Sequence, residues 1–374
     1  MAIDATPLLG NPTGVGVFCA GALQSLAARP ELALQAFSVS WRGRTGLSGL
    51  PPGVALGQRP MPASLLHRLW RHAGVPPLEW FTGAADVVHG TNFVVPPTRR
   101  AASVVTVHDL TPLHYPELAN RASLGYPALL RRALRRGTWV HAVSEFVAAE
   151  VRQEFDVDPD RVRVVAHGVP PLPDVDDDAA RDIVRRRLPG GATRYVLAIG
   201  TAEPRKDLPG LVQAFDRLAP QQADLALVLV GPPGWGEQAL GDAVEAAAAR
   251  DRIVRTGWVD DRVLSALLSG AAVLAYPSRY EGFGFPPLQA MGAGVPVVAT
   301  RAGAVPEIVG DAALLVAPGN PEELADGLDR VLGQSDLRQA LISAGRARAA
   351  SFSWERCGQG LAQLYGQVAA ERGG

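Results

Sequence analysis

The sequence predicts an α/β protein made of two parallel-sheet domains in tandem, and three observations predict it. Short apolar runs alternate with helical stretches along the chain, the pattern of parallel strands joined by crossover helices. Several runs end on a polar or glycine step: His89-Gly90, His108-Asp109, Ser144-Glu145 and His167-Gly168. Open parallel sheets carry their sites at such carboxyl ends. The alternation breaks once, at Pro170–Gly191, and then resumes. At 374 residues the chain is long for one domain and comfortable for two.

The expected strands of the first series are Ala2–Asp4, Ala33–Val39, Val87–His89, Val104–Val107, Trp139–Val143 and Val162–Val165. A helix over Val17–Ala28 follows the first of them. The break holds Pro170, Pro171 and Pro173, three aspartates at Asp176–Asp178, and Pro189-Gly190-Gly191. It reads as a linker carrying one short basic helix, Ala179–Leu188. The second series runs through Tyr195–Ile199, Leu225–Val230, Ile253–Thr256, Val273–Tyr276, Val295–Ala299 and Ala313–Val316. Each series makes a Rossmann-like domain. A final helix is expected near Trp354–Glu371. The boundaries follow: residues 1–172, a linker at 173–191, a second domain at 192–352 and the closing helix at 353–374.

Composition narrows the chemistry. A formal net charge of −1 gives no global basic field, so nucleic acid is not an expected partner. The two cysteines, Cys19 and Cys357, supply neither a disulfide framework nor a metal-binding pair. The start MAIDATPLLG lacks the basic and long apolar regions of a signal peptide. No run approaches the ~20 apolar residues of a membrane span. A cytoplasmic protein is therefore expected, with room for peripheral contact at the inner face of the membrane. Of 36 basic residues, one is lysine, Lys206. An ammonium is a compact point charge that a planar guanidinium does not copy.

Four segments carry chemistry. In Ile199–Asp207 a strand ends at Gly200 and a helix starts near Leu208, with Asp207 as its expected N-cap. Arg205 and Lys206 then sit beside a strand end, where two adjacent cations can neutralise a diphosphate. In Tyr276–Ala290, glycines lead into a helix with proline in its first turn. Free amides at that helix start favour an anion, and Glu281 just before them suits sugar hydroxyls. Gly10–Phe18 is half of a dinucleotide fingerprint, with Cys19 where the third glycine belongs. In Val107–Glu117, His108 reads either as a hydrogen-bonding partner of substrate or as a satisfied core histidine. No second cluster offers the spacing of a metal site, so no metal or organic cofactor is expected. The basic run Leu129–Arg136 reads first as a solvated helix face and second as a contact for anionic lipid or a charged acceptor. For Leu65–Trp70 and Trp80-Phe81, core packing is the default.

The ordered segments PTGVGVF, VTVHDLTPLHYPE, HAVSEF, VVAHGV, IGTAEPRKDLPGLVQAF, VLVGPPGWG, TGWVDD, YPSRYEGFGFPPLQAMGAGVPVVAT and GDAALLVAP resemble the retaining glycosyltransferases of family 4 over nearly the whole chain, with mannosyltransferase-like members nearest in pattern. The resemblance implies the GT-B fold: two domains across a cleft, with the C-terminal helix returning to the first. It implies a nucleoside-diphosphate sugar as donor and a glycan, lipid-linked or small-molecule acceptor. Arg205 and Lys206 would contact the donor diphosphate. Glu281 would face the donor sugar, and the amides of Gly282, Phe283 and Gly284 sugar or phosphate. His108 would touch the donor sugar from the first domain. Gly14 and Gly16 would face the diphosphate and acceptor, Val259 the base. Thr201 falls on the donor side, and Asn92, Asp109 and His141 on the acceptor side.

One departure stands out. The family's second glutamate, eight residues after Glu281, is Gln289 here. An amide accepts at one atom and donates at the other, whereas a carboxylate accepts at both. The ribose clamp is altered, which suits either a 2′-deoxyribose donor or one retained bond to an ordinary ribose. Two rivals stay open. A glucan-phosphorylase-type enzyme needs a Schiff-base lysine for pyridoxal phosphate, and Lys206 alone is available. A non-catalytic nucleotide-sugar-binding protein would bind without turnover.

Overall fold

The computed structural model describes residues 1–10, 14–41, 47, 49–57, 59 and 61–373, without the side chains of residues 71, 372 and 373. The chain forms two compact units, Met1–Pro170 with Phe352–Gly374, and Pro171–Ser351.

The first unit holds β1 (Ala2–Asp4), β2 (Gln35–Phe37), β3 (Ala55–Leu56), β4 (Val87–Gly90), β5 (Ala102–Val107), β6 (Trp139–Ala142) and β7 (Val162–Val164). They pair in parallel in the order β3-β2-β1-β4-β5-β6-β7. β3 was not expected; two residues carry no periodic signal. The ladder registers Ile3 against His89 and Val104 against Trp139. Around the sheet lie α1 (Gly14–Ala27), α2 (Ala63–His72), α3 (Glu79–Thr82), α4 (Thr111–His114), α5 (Tyr126–Leu134) and α6 (Glu145–Glu154). α1 starts at Gly14 and not at Val17. Gly14 and Gly16 therefore lie in its first turn, and Gly16 is buried. Asn11, Pro12 and Thr13 of the expected glycine loop lie outside the described residues.

The second unit holds β8 (Arg194–Ile199), β9 (Leu225–Val230), β10 (Ile253–Gly257), β11 (Val273–Tyr276), β12 (Val297–Thr300) and β13 (Leu314–Val316), in the parallel order β10-β9-β8-β11-β12-β13. β9 is buried along its whole length, as a central parallel strand covered on both faces must be. Its helices are α7 (Asp177–Arg185), α8 (Leu208–Leu218), α9 (Glu237–Ala246), α10 (Asp261–Ser269), α11 (Phe285–Gly292), α12 (Val305–Val309), α13 (Pro321–Gly333) and α14 (Ser335–Ala350). The core under α8 and α13 gathers Phe215, Leu211, Leu227, Leu328 and Val331. The stretch expected as a linker is built into this unit. Asp176 caps α7 by accepting from the amides of Asp178 and Ala179, α7 packs on α10, and Ser265 donates to the Pro173 carbonyl at 2.7 Å.

The last helix, α15 (Trp354–Gly373), belongs to the first unit and packs along α1. It buries Leu361, Leu364, Tyr365 and Val368. Trp354 lies so close over Gly21 that a Cβ there would sit 2.4 Å from its indole. Trp139 donates to Glu371 at 2.8 Å and closes the far end.

Candidate active site

In the second unit β8 sits mid-sheet, with β9 on one side and β11 on the other. The chain leaves these neighbours in opposite directions, and that opens a crevice at their carboxyl ends. Gly200 follows β8, and Pro204–Lys206 form one tight turn before α8. The loop after β11 comes across and is tied to that turn: the Arg279 amide donates to the Arg205 carbonyl at 2.7 Å. Glu281 is held by its backbone too. The Ala304 amide donates to its carbonyl at 2.8 Å, and Gly303, at φ 57°, lies so close that a Cβ would sit 2.2 Å from that oxygen. Only glycine takes that approach without strain.

The side chains then converge. Arg205 Nη1 donates to Glu281 Oε2 at 2.7 Å, and its Nε donates to Glu203 Oε2 at 2.8 Å. Lys206 Nζ donates to Glu281 Oε1 and, at 3.2 Å, to the Tyr276 hydroxyl. Its nitrogen also lies 5.1 Å from the Tyr276 ring centroid. Glu281 is buried. Burial pushes its pKa up, but the Arg205 guanidinium and then the Lys206 ammonium outweigh burial and hold it at about 2. Burial lowers the Lys206 pKa, with Glu281 opposing. Tyr276 is raised well above its ordinary value by burial and then by the Glu281 charge. Two cations and two carboxylates thus form one compensated cluster, which a buried set of charges requires.

Other residues expected here take these places. Thr201 follows Gly200, half-buried, and its carbonyl accepts from the Glu203 amide at 2.7 Å. Gly282, Phe283 and Gly284 are buried in the loop entering α11, with Gly284 at φ 132°. Gln289 is half-buried in the second turn of α11. Val259 is half-buried two residues after β10. Asp207 is corrected in its role. It stands at the N-cap position of α8 in a left-handed conformation but makes no capping bond; its Oδ1 accepts from Arg279 at 3.1 Å. Glu203 and Tyr276 were missed. Glu203 lies two residues before Arg205, and Tyr276 reads in sequence as the end of an apolar strand.

The first unit has a matching switch point between β1 and β4, and its histidines gather nearby. His141 is expected on the acceptor side, and the structure corrects this: it is fully buried with both ring nitrogens engaged. Its Nε2 donates to the Val165 carbonyl at 2.8 Å, so its Nδ1 accepts from Thr106 Oγ1 at 2.9 Å. Thr106 then accepts from His89 Nε2 at 2.7 Å, and His89 Nδ1 accepts from the Tyr365 hydroxyl at 2.7 Å. One carbonyl at the end fixes every proton in the chain. Burial lowers the His141 pKa to about 4 and drives His89 and His167 well below their ordinary value.

His108 ends differently. It is half-buried, and its Nε2 donates to the Thr91 carbonyl at 2.8 Å, which leaves Nδ1 as an acceptor. Burial lowers its pKa, against the Thr91 bond and the Asp109 charge. Asp109 Oδ1 accepts from the Thr111 amide at 2.9 Å and starts α4. Asn92 is half-buried beside Phe93, whose φ of 57° is rare for a bulky residue.

Residues 181–348 match the family model described as glycosyl transferases group 1, and residues 13–171 match glycosyltransferase family 4. The O-antigen chain mannosyltransferase B of Escherichia coli is 33% identical over 276 residues, covering 72% of this chain and 71% of that protein. The MMP alpha-(1->4)-mannosyltransferase of Mycolicibacterium hassiacum is 32% identical over 254 residues, covering 66% of this chain and 58% of that one. The crystal structure of WaaG, a glycosyltransferase involved in lipopolysaccharide biosynthesis, superposes with a TM-score of 0.71 at 20% identity, covering 100% of this chain and 99% of that one. Anabaena Alr3699/HepE in complex with UDP and glucose gives 0.75 at 21%, covering 98% and 100%. These solved structures share the GT-B fold with the chain. With both family models matched in order along the chain and a relative 33% identical over 72% of it, the chain belongs to glycosyltransferase family 4 and is a glycosyltransferase.

Proposed function

We propose that the chain transfers a hexose or deoxyhexose from a nucleoside-diphosphate sugar to a hydroxyl of a glycan, lipid-linked or small-molecule acceptor, with retention at the anomeric carbon and without a metal ion. The observation that supports this best is the Arg205–Lys206–Glu281 cluster at the β8/β11 switch point. Charge builds on the departing diphosphate in such a transfer. Two cations fixed before the reaction stabilise it at no reorganisation cost. They also supply the positive charge that a divalent ion provides elsewhere.

A GDP-mannose-like donor is favoured by the mannosyltransferase relatives. A dTDP-sugar is the second reading, and Gln289 favours it, since a deoxyribose offers one hydroxyl fewer to clamp. UDP-sugars rank third. Acceptors follow the same relatives, one of which is an O-antigen chain mannosyltransferase. The test is a thermal-shift panel of GDP, UDP, dTDP, ADP and their sugars, followed by turnover with and without EDTA. A guanine or thymine preference with EDTA-resistant turnover is expected. Activity lost with EDTA and restored by a divalent metal overturns metal independence. Tight nucleotide binding without turnover on any donor overturns catalysis.

A further inference from the structure

Three buried tyrosines use their hydroxyls differently. Tyr195 donates to the Leu267 carbonyl at 2.6 Å, and Tyr365 donates to His89. Both are ordinary answers for a hydroxyl taken out of water, which costs free energy unless it is hydrogen-bonded. Tyr276, the last residue of β11 and also buried, does something else. Its hydroxyl accepts, and the donor is the ammonium of the chain's one lysine, Lys206, at 3.2 Å. The strand itself does not call for the hydroxyl. Val273, Leu274 and Ala275 before it are fully buried apolar residues, and a phenylalanine would fill the same volume.

The effect falls on the lysine. An ammonium carries three N–H donors. In Lys206 one goes to Glu281 and one to Tyr276, and the third makes no hydrogen bond among the described residues. Two fixed bonds from a tetrahedral group set the direction of the third. The ring adds a second hold, because Nζ lies 5.1 Å from its centroid, inside the ~6 Å range of a cation–π contact. The stem is confined as well: Cδ and Cε of Lys206 lie 3.5 Å from where a Cβ on Gly200 would stand. Burial lowers the Lys206 pKa; the Glu281 and Glu203 charges raise it, and Arg205 lowers it further. A hydrogen bond accepted from the charged form works against burial. Burial and then the Glu281 charge hold the Tyr276 phenol well above its ordinary value, so it stays neutral and keeps a lone pair for the ammonium.

We propose that Tyr276 is a positioning residue for the transfer, keeping Lys206 protonated and aiming its remaining N–H at the donor diphosphate. Tyr276 acts in this way only where Lys206 meets the diphosphate, as proposed above.

The test is Tyr276→Phe in the full chain, with Tyr195→Phe as a structural control. Because Lys206 is the one lysine, protein labelled with ¹³Cε-lysine gives one side-chain NMR signal, whose titration reads the ammonium directly. In Tyr276→Phe that signal should titrate at a lower pH than in the unaltered protein, while Tyr195→Phe lowers the melting temperature and leaves the titration unmoved. With the donor that the nucleotide-sugar panel selects, kcat and kcat/KM should fall together by about tenfold in Tyr276→Phe, with donor KM within about twofold. The alkaline limb of its rate profile should move to lower pH. An unmoved lysine titration overturns the proposal, whatever the rate does, and so does a rate within twofold of the unaltered protein. The diphosphate reading fails separately, if GDP, UDP and dTDP all leave the labelled signal of the unaltered protein where it was. If Tyr276→Phe does not fold, Tyr276→Met takes its place with the same expectations. If neither folds, the hydroxyl is structural and the proposal is overturned.

Discussion

The two sheets are wound alike, and each buries polar groups near the carboxyl ends of its central strands, but they do so by opposite means. In the second unit the groups are charged: Arg205, Lys206, Glu203 and Glu281 compensate one another. In the first unit they are neutral: Tyr365, His89, Thr106 and His141 pass hydrogen bonds along one chain to the Val165 carbonyl. A buried charge needs a partner charge; a buried histidine needs only to lose its proton. The first arrangement is a strong local field kept ready. The second is a scaffold with little field at neutral pH. The catalytic electrostatics proposed above therefore rest on the cluster of the second unit, while the histidine chain ties its sheet together.

The largest effect that tests this contrast is on turnover. Lys206→Arg should fold and still lose about two to three orders of magnitude in rate, because the Lys206 stem packs on Gly200 and a planar guanidinium cannot put its charge at the same point. Wild-type-like rates in that variant would break the comparison. Next comes stability. Glu281→Ala leaves Lys206 without its carboxylate and Arg205 with Glu203 alone, and removing one partner of a buried pair costs about 3–5 kcal/mol; thermal or denaturant unfolding measures it. The same change made at an exposed pair, Glu322 with Arg217, should cost about 0–1 kcal/mol.

The third test is acid. The His141 pKa is about 4 folded against 6.5 unfolded. The unfolded chain takes up protons first, so this contribution is whole above 6.5 and lost as pH falls towards 4. His89 and His167 act in the same sense. Asp4, pushed up to about 6 by burial, acts in the opposite sense and offsets part of the loss. Glu281 keeps its contribution above 4.5 and loses it only as pH falls towards 2. Peptide-resolved hydrogen exchange should therefore show residues 1–170 opening at a higher pH than 171–351. Simultaneous opening would count against the assignment. The smallest effect is expected at the ribose. Gln289→Glu should shift relative affinity towards GDP or UDP and away from dTDP by about tenfold, one good hydrogen bond's worth. An unchanged ratio sinks the deoxyribose reading.

Much of this was legible in the residues. Leu225–Val230 reads as a strand because six apolar residues in a row fit only a sheet covered on both faces. That Arg205, Lys206 and Glu281 stand at strand ends was legible from the apolar runs before them, and the structure brings their side chains together. What failed has identifiable causes. Glycines at Gly14 and Gly16 read as a loop, yet a helix accepts glycine in its first turn. His141 shared the strand-end signature of His108, and a sequence does not say which of two such rings keeps an open nitrogen. Trp70 and Trp80 read alike as core, and the structure buries one and exposes the other. Glu203 was passed over because a carboxylate beside an expected anion site reads as a conflict until its guanidinium partner is placed.

The return of α15 to the first unit carries a consequence for synthesis. On a ribosome, residues 171–351 are complete before Trp354 and Tyr365 leave the exit tunnel. The second unit can close on its own schedule. The first must wait, with the slot over Gly21 uncovered and His89 lacking its hydroxyl partner, until the final helix arrives. The order of translation is therefore the reverse of the order of completion, and the sheet made first is the one finished last.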